Sequence, residues 1–289
     1  RQMSFPLRVD LEVTNDCSLS CLQCPRQFMT RPVGYMDFSL VEKVVAEIKE
    51  AKKINPFDHV AVHQMGEPLL HPQILDIVKL IVGNGIVCCL TTSGLFLTEE
   101  IARGLLEIPV PFIAISLDSI DEAQYHKIRR GSHLPTVLEN IDKLLELRVT
   151  LKAHTNIDIV TVEMFDTMGQ ADAIEVRYGR RVRELGGRAV SKKFSEWGGT
   201  IKGLSPEASV EESLPCTQMN VSEIVQWNGD VSICCLDYDG KTTVGNVLDE
   251  TLEEIWNGKR FEEFRTRIRA GDKTTPFCGN CHHLWRSLG

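Results

Sequence analysis

Apolar and polar positions alternate at Leu7, Val9, Leu11 and Val13, the two-residue period of a strand. The spacing then changes: Phe38, Val41, Val44, Val45 and Ile48 recur at helical intervals, with Ser39 as the predicted cap. Strand-like runs return near 58–64, 86–92, 112–117, 151–159 and 187–195, and helical patterns lie near 73–83, 98–107, 121–148 and 162–184. This alternation predicts an α/β fold, a parallel sheet covered by helices and either open or barrel-like. In such folds ligands gather at the carboxyl ends of the strands.

The pattern breaks over 198–215, where Gly198, Gly199, Gly203, Pro206 and Pro215 read as a linker. Beyond it, Asn228-Gly229 separates two short runs, Glu223–Trp227 and Asp230–Cys234, and predicts a hairpin. A helix is expected next, with Leu252, Ile255, Trp256, Phe261, Phe264 and Ile268 on its apolar side and Gly271 just past its end. The expected division of the chain is 1–197 and 198–289.

Composition narrows the function classes. The 289 residues are 43% hydrophobic and 25% charged, as in an ordinary globular protein. The formal net charge of -8 argues against a nucleic-acid partner, whose phosphates call for a basic surface, and is compatible with a cationic small-molecule substrate. No apolar run approaches the ~20 residues that span a bilayer, and Arg1–Pro6 lacks a signal-peptide core. A cytoplasmic location without membrane contact is the expectation.

Ten cysteines in such a chain call for metal rather than disulfides. Cys17-x3-Cys21-x2-Cys24 offers three thiols on one loop after the first strand. Three thiolates on an iron–sulfur cluster leave one iron open to substrate, whereas a structural zinc site usually takes four ligands in paired spacing. Cys216, Cys234, Cys278 and Cys281 could complete a four-thiolate site, and spacing leaves zinc and a second cluster both open.

The stretch from Glu12 to Pro25, with its three cysteines, resembles the signature of the radical S-adenosylmethionine (SAM) superfamily. That resemblance implies a [4Fe-4S] cluster on Cys17, Cys21 and Cys24, with SAM on the open iron and hydrogen abstraction by a 5′-deoxyadenosyl radical. Met65-Gly66-Glu67-Pro68 is similar to the family's glycine-glutamate motif, in which Glu67 would meet the SAM amino group and Gly66 would allow close approach. Ser93, in Thr91-Thr92-Ser93-Gly94, stands where the ribose contact commonly carries Asn. Ser116 and Arg129 resemble the next strand-end contact and the arginine that pairs with the SAM carboxylate, and Arg130 lies beside the latter. Gln23 departs from the family, which usually has a bulky apolar residue there, near the adenine.

The segment from Pro215-Cys216 through Gly229, Cys234-Cys235, Gly245-Asn246 and Trp256 to Cys278-x2-Cys281 resembles the shortened SPASM, or twitch, extension. It implies one auxiliary [4Fe-4S] cluster on Cys216, Cys234, Cys278 and Cys281. The implied fold is a partial (β/α)6 TIM-like barrel with a C-terminal twitch domain covering its mouth. The implied electron donor is a flavodoxin or ferredoxin.

Cys88 and Cys89 read as buried small hydrophobes. Cys235 is expected on the face of its strand opposite Cys234, as a hydrogen-atom donor, a packing residue or an alternative ligand. The nearest resemblance is to twitch enzymes of aminoglycoside biosynthesis, one of which inverts a sugar stereocentre and another oxidises an aminocyclitol alcohol. The latter has an arginine where this chain has Trp197, which could instead stack on a sugar face. Epimerisation with Cys235 as donor is therefore the expected reaction. Dehydrogenation of a secondary alcohol, modification of a ribosomal peptide and a non-enzymatic zinc-binding module are the alternatives. The first strand begins near Leu7, which leaves no room ahead of it for the peptide-binding domain that peptide-modifying relatives often carry. Asp237 and Asp239 are further possible contacts for a substrate amine.

Overall fold

A computed structural model describes residues 3–205, 216, 218–270, 272, 274, 277, 278 and 281. Pro206, Pro215 and Gly271 lie outside the described residues. The first half alternates as expected: β1 (Arg8–Leu11), α1 (Phe38–Ala51), β2 (His59–Ala61), α2 (Ile74–Gly83), β3 (Cys88–Thr92), α3 (Glu99–Glu107) and β4 (Phe112–Ser116). Then follow α4 (Glu122–Ile128), α5 (Leu134–Thr150), β5 (Asn156–Glu163), α6 (Gln170–Ile174), α7 (Arg180–Glu184) and β6 (Ala189–Lys193), with a π-helical turn, Glu175–Gly179, joining α6 to α7. The C-terminal part adds β7 (Ser222–Val225), β8 (Asp230–Ser232), β9 (Thr243–Asn246), α8 (Leu252–Trp256) and α9 (Lys259–Arg269).

Six strands, β1 to β6, run parallel in chain order, the expected α/β core. The sheet continues on its other edge: β7 joins β1 in parallel, and β8 and β9 extend it antiparallel, giving β6-β5-β4-β3-β2-β1-β7-β8-β9. Asn228-Gly229 makes the expected hairpin between β7 and β8, with Gly229 at φ +89°.

The period-two pattern sorts the two faces. Val9, Leu11, Val60, Cys88, Leu90, Ile113, Ile115, Ile157 and Ile159 are buried with Val41, Val44, Val45 and Ile48 of α1 and with the other helices. In register, Asp10, Ala61, Cys89, Thr91, Ser116 and Lys192 point to the opposite face. The polar residues between the apolar ones therefore line an inner wall: Asp10 and Glu12 are themselves buried.

Four expectations need correction. Asp37, not Ser39, caps α1, because its carboxylate accepts from the Ser39 backbone N–H at 2.8 Å. The helix expected over 121–148 is two helices, broken where Gly131 takes φ +88°. The strand placed at 151–159 begins at Asn156 and runs to Glu163, so the following helix starts at Gln170 rather than 162. The C-terminal helix is also two, parted at Asn257-Gly258.

Candidate active site

The chain leaves β1 through a long loop that carries the first three cysteines. Asn15 staples it: its amide donates to the Pro32 carbonyl and accepts from the Gly34 N–H, each at 2.9 Å. Ser20 and Leu22 donate backbone N–H groups to the carbonyls of Arg130 and Ile128, which pins the cysteine segment to the end of α4. Cys21 is buried, and Cys17 and Cys24 are partly exposed. Burial pushes the Cys17 and Cys24 thiols up to about 11, with smaller pushes from the other thiols of the trio, and raises Cys21 as well. The three thiols are thus mutual neighbours, and a cationic group among them would stabilise the thiolates.

Gly66 lets two backbones meet: a Cβ there would come within 2.3 Å of the Thr14 carbonyl oxygen and 2.6 Å of that of Asp16. The Glu67 N–H donates to Asp16 O at 2.8 Å, so the end of β2 is sewn to the cysteine loop. Glu67 itself is buried. Its carboxylate accepts from Thr92 Oγ1 at 2.7 Å, from the Ser93 N–H at 2.8 Å and from Ser93 Oγ at 2.6 Å. The structure therefore brings Glu67 and Ser93 together, bonded to each other. Ser116 stands partly exposed at the end of β4.

Arg129 sits at the break between α4 and α5, buried, with its Nε donating to Asp118 at 2.7 Å and its Nη1 4.0 Å from the Cys21 sulfur. Burial alone would lower this guanidinium, yet Asp118 and then the Cys21 thiol hold it above its ordinary value. Arg130 contributes its carbonyl to the cysteine loop instead. Sequence reasoning passed over Asp118, the hub of this cluster. It accepts from Gln23 Nε2 at 2.6 Å and from the Val162 N–H at 2.9 Å besides Arg129. A signal was present, since Asp118 follows β4 at the carboxyl end of a parallel strand.

The second cysteine group also gathers. Burial raises Cys216, and Cys281 and Cys278 add to the rise. Cys234 is raised well above the usual thiol range, first by contact with the Cys235 thiol and then by burial, with Cys216 contributing. Cys235 departs from its expected place. β8 ends at Ser232, so Cys234 and Cys235 lie in the turn beyond it and their thiols touch rather than face opposite ways. Asp237 and Asp239 are not open to a substrate amine. Asp237 accepts from Lys241 N, Thr242 N and Thr242 Oγ1, and Asp239 from Thr30 and Arg31.

One clasp ties the two cysteine regions together. Arg31 donates to both Glu12 oxygens at 2.8 Å, to Gln226 at 3.0 Å and to the Tyr238 carbonyl at 3.0 Å. Tyr238 lies in the turn that follows Cys235, and a small apolar cluster of Met65, Leu236, Tyr238 and Phe277 packs with Trp197, Cys234, Cys235 and Cys278.

Residues 11–170 match the Radical SAM superfamily, and residues 216–282 match SPASM, an iron-sulfur cluster-binding domain. The chain belongs to the radical SAM superfamily. It is accordingly a radical SAM enzyme with a SPASM domain, and its cofactors are SAM and [4Fe-4S] clusters, one of them auxiliary. The zinc-module alternative is set aside by this membership. A tungsten-containing aldehyde ferredoxin oxidoreductase cofactor-modifying protein of Pyrococcus furiosus is 23% identical across 94% of this chain and 86% of that one. Among solved structures, BtrN in complex with AdoMet and 2-DOIA superimposes with a TM-score of 0.64 at 19% identity, over 96% of this chain and 93% of that chain. Streptococcus suis SuiB bound to precursor peptide SuiA gives 0.72 at 17% identity, over 92% and 68%. At these identities the structural likeness speaks for the fold. No helix among the described residues is long and apolar enough to cross a membrane.

Proposed function

We propose that this enzyme takes a hydrogen atom from a ring carbon of a sugar or aminocyclitol and returns one from Cys235 on the opposite side, an epimerisation. When bound, SAM and the cluster supply the abstracting 5′-deoxyadenosyl radical. Cys17, Cys21 and Cys24 would hold that cluster, and Cys216, Cys234, Cys278 and Cys281 the auxiliary one. Gly66, Glu67, Ser93, Ser116 and Arg129 would hold SAM, with Arg129 pairing with its carboxylate. Residues 1–197 form the barrel part and 198–289 the twitch part of this reading.

The observation that carries the role of Cys235 is its tether. The Gln64 amide, two residues before Gly66, donates to the Cys235 carbonyl at 2.6 Å, and Cys235 packs against the apolar cluster of Met65, Leu236, Tyr238 and Phe277. This bond between the residue two before Gly66 and the Cys235 backbone supports a place for Cys235 near the SAM motif. In the step, the S–H bond breaks and a C–H bond forms. The resulting thiyl takes one electron from an external donor of flavodoxin or ferredoxin type and one proton from solvent.

The test incubates reconstituted enzyme with SAM, reductant and a panel of amino sugars and aminocyclitols in D2O. Epimerisation places one solvent deuterium on the inverted carbon. The Cys235→Ser variant should form 5′-deoxyadenosine with no inverted, deuterated product. A ketone two mass units lighter, from wild type and Cys235→Ser alike, would establish dehydrogenation instead.

A further inference from the structure

β6 is an edge strand, paired with β5, and four strands of the sheet stand between it and β1. The segment that leaves β6, residues 196–204, nevertheless reaches the loop after β1. Trp197 Nε1 donates to the Gln23 carbonyl of the cysteine loop at 2.9 Å, a bond across the gap that the open sheet leaves. The Thr200 and Tyr238 hydroxyls share a hydrogen bond at 3.2 Å, and Trp197 packs against the apolar cluster of Met65, Leu236, Tyr238 and Phe277. At the far end the Leu204 carbonyl accepts from the Phe165 N–H at 2.8 Å, just past β5. The segment is a strap, anchored past β5 and fastened to the cysteine loop and to the turn beyond Cys235. Its backbone shows where it bends: Trp197, Gly198 and Gly199 take φ of +52°, +65° and +81° in succession. Trp seldom adopts that conformation, so its engaged ring and N–H hold it there. The two glycines change φ freely, which a hinge requires. In the fastened form Gly198 lies close against Phe277, since a Cβ there would stand 2.7 Å from its ring.

We propose that residues 196–204 are a gate for SAM: the strap swings about Gly198-Gly199, opens when the Trp197–Gln23 and Thr200–Tyr238 bonds break, and closes again over the bound cofactor. This rests on the SAM placement given above. Glu67, Ser93 and Arg129 are only 3%, 7% and 8% exposed, so a molecule of SAM's size reaches them only after a covering segment has moved. The strap is fastened beside them. Gln23, which holds Trp197 by its carbonyl, donates its amide to Asp118, and Asp118 in turn accepts from Arg129. Both fastenings are uncharged hydrogen bonds that water can replace on opening. A strap closed both before and after SAM enters slows arrival and departure alike and leaves the affinity unchanged.

The rates at which radiolabelled SAM enters and leaves the cluster-loaded enzyme, read by rapid filtration without reductant, test the gate. Trp197→Phe keeps an aromatic ring and loses the N–H; Thr200→Val keeps the shape and loses the hydroxyl. Each should speed association and dissociation together by about fivefold to tenfold, with the Kd within about twofold of wild type. Gly198→Ala, whose methyl would meet Phe277, should unfasten the strap by a different contact and shift both rates the same way. Faster dissociation alone, with a weaker Kd, overturns the gate in favour of a direct contact between strap and SAM. Glu67→Gln, measured alongside, should weaken SAM about tenfold with little change in association. Rates unchanged in all three strap variants while Glu67→Gln weakens SAM overturn the gate and leave the SAM placement standing. A Kd unchanged in Glu67→Gln overturns that placement, and the gate with it.

Discussion

Cys17 and Cys24 hold their protons far more tightly than an exposed thiol, at about 11 against the ordinary ~8.5. In metal-free protein at pH 8 the thiolate fraction at these sites is on the order of a hundredfold lower than in a free cysteine. Mass-spectrometric footprinting with iodoacetamide should find both alkylated slowly in native protein and rapidly in urea. Fast native labelling would mean that the loop is open. His63 makes a second prediction. Its native pKa lies below its unfolded value, so between pH 6.5 and about 4 the unfolded chain takes up a proton that the native chain refuses. Stability from this group is full above pH 6.5 and is lost as pH falls towards 4. The Tm gap between wild type and His63→Phe should therefore narrow or reverse from pH 7.5 to pH 5.0; an unchanged gap would place the imidazole in solvent. Single residues were unevenly legible beforehand. The cysteines announce themselves by spacing, and Glu67 and Arg129 by resemblance to the family's motifs, but Asp118 does not, because its hub exists only once Gln23, Arg129 and Val162 have met around it.

At the scale of elements, the strand-like runs overlap each of β1 to β6, though the one placed at 151–159 proves to be Asn156–Glu163. What they could not locate were the breaks. The apolar spacing of 121–148 continues across Gly131, yet the chain turns there and delivers Arg129 to Asp118 and Cys21. A one-residue turn leaves the periodicity almost intact, and only φ reveals it. Gly66 has the same hidden importance, because its demand is the approach of another backbone. The Gly66→Ala variant must push the Thr14–Asp16 carbonyls away, and with them the loop that presents Cys17. Iron analysis should show loss of about four irons per chain with the C-terminal iron retained. Full iron in Gly66→Ala would show that the loop adapts without cost.

At the scale of the molecule, the C-terminal strands extend the barrel's own sheet, which the apparent linker at 198–215 concealed: β7 reaches β1 across more than two hundred residues of sequence. The join is reinforced by Arg31, whose side chain is 12% exposed, against Glu12, which is fully buried. Removing the arginine strands a carboxylate in the interior, which typically costs about 3–5 kcal/mol, and for a chain of this size Tm should fall by roughly 6–10 °C in Arg31→Met. Adding Glu12→Gln removes the stranded charge and should restore at least half of the loss. If Arg31→Met melts like wild type, the clasp does not hold the two cysteine regions together, and the sheet alone must set the distance between them.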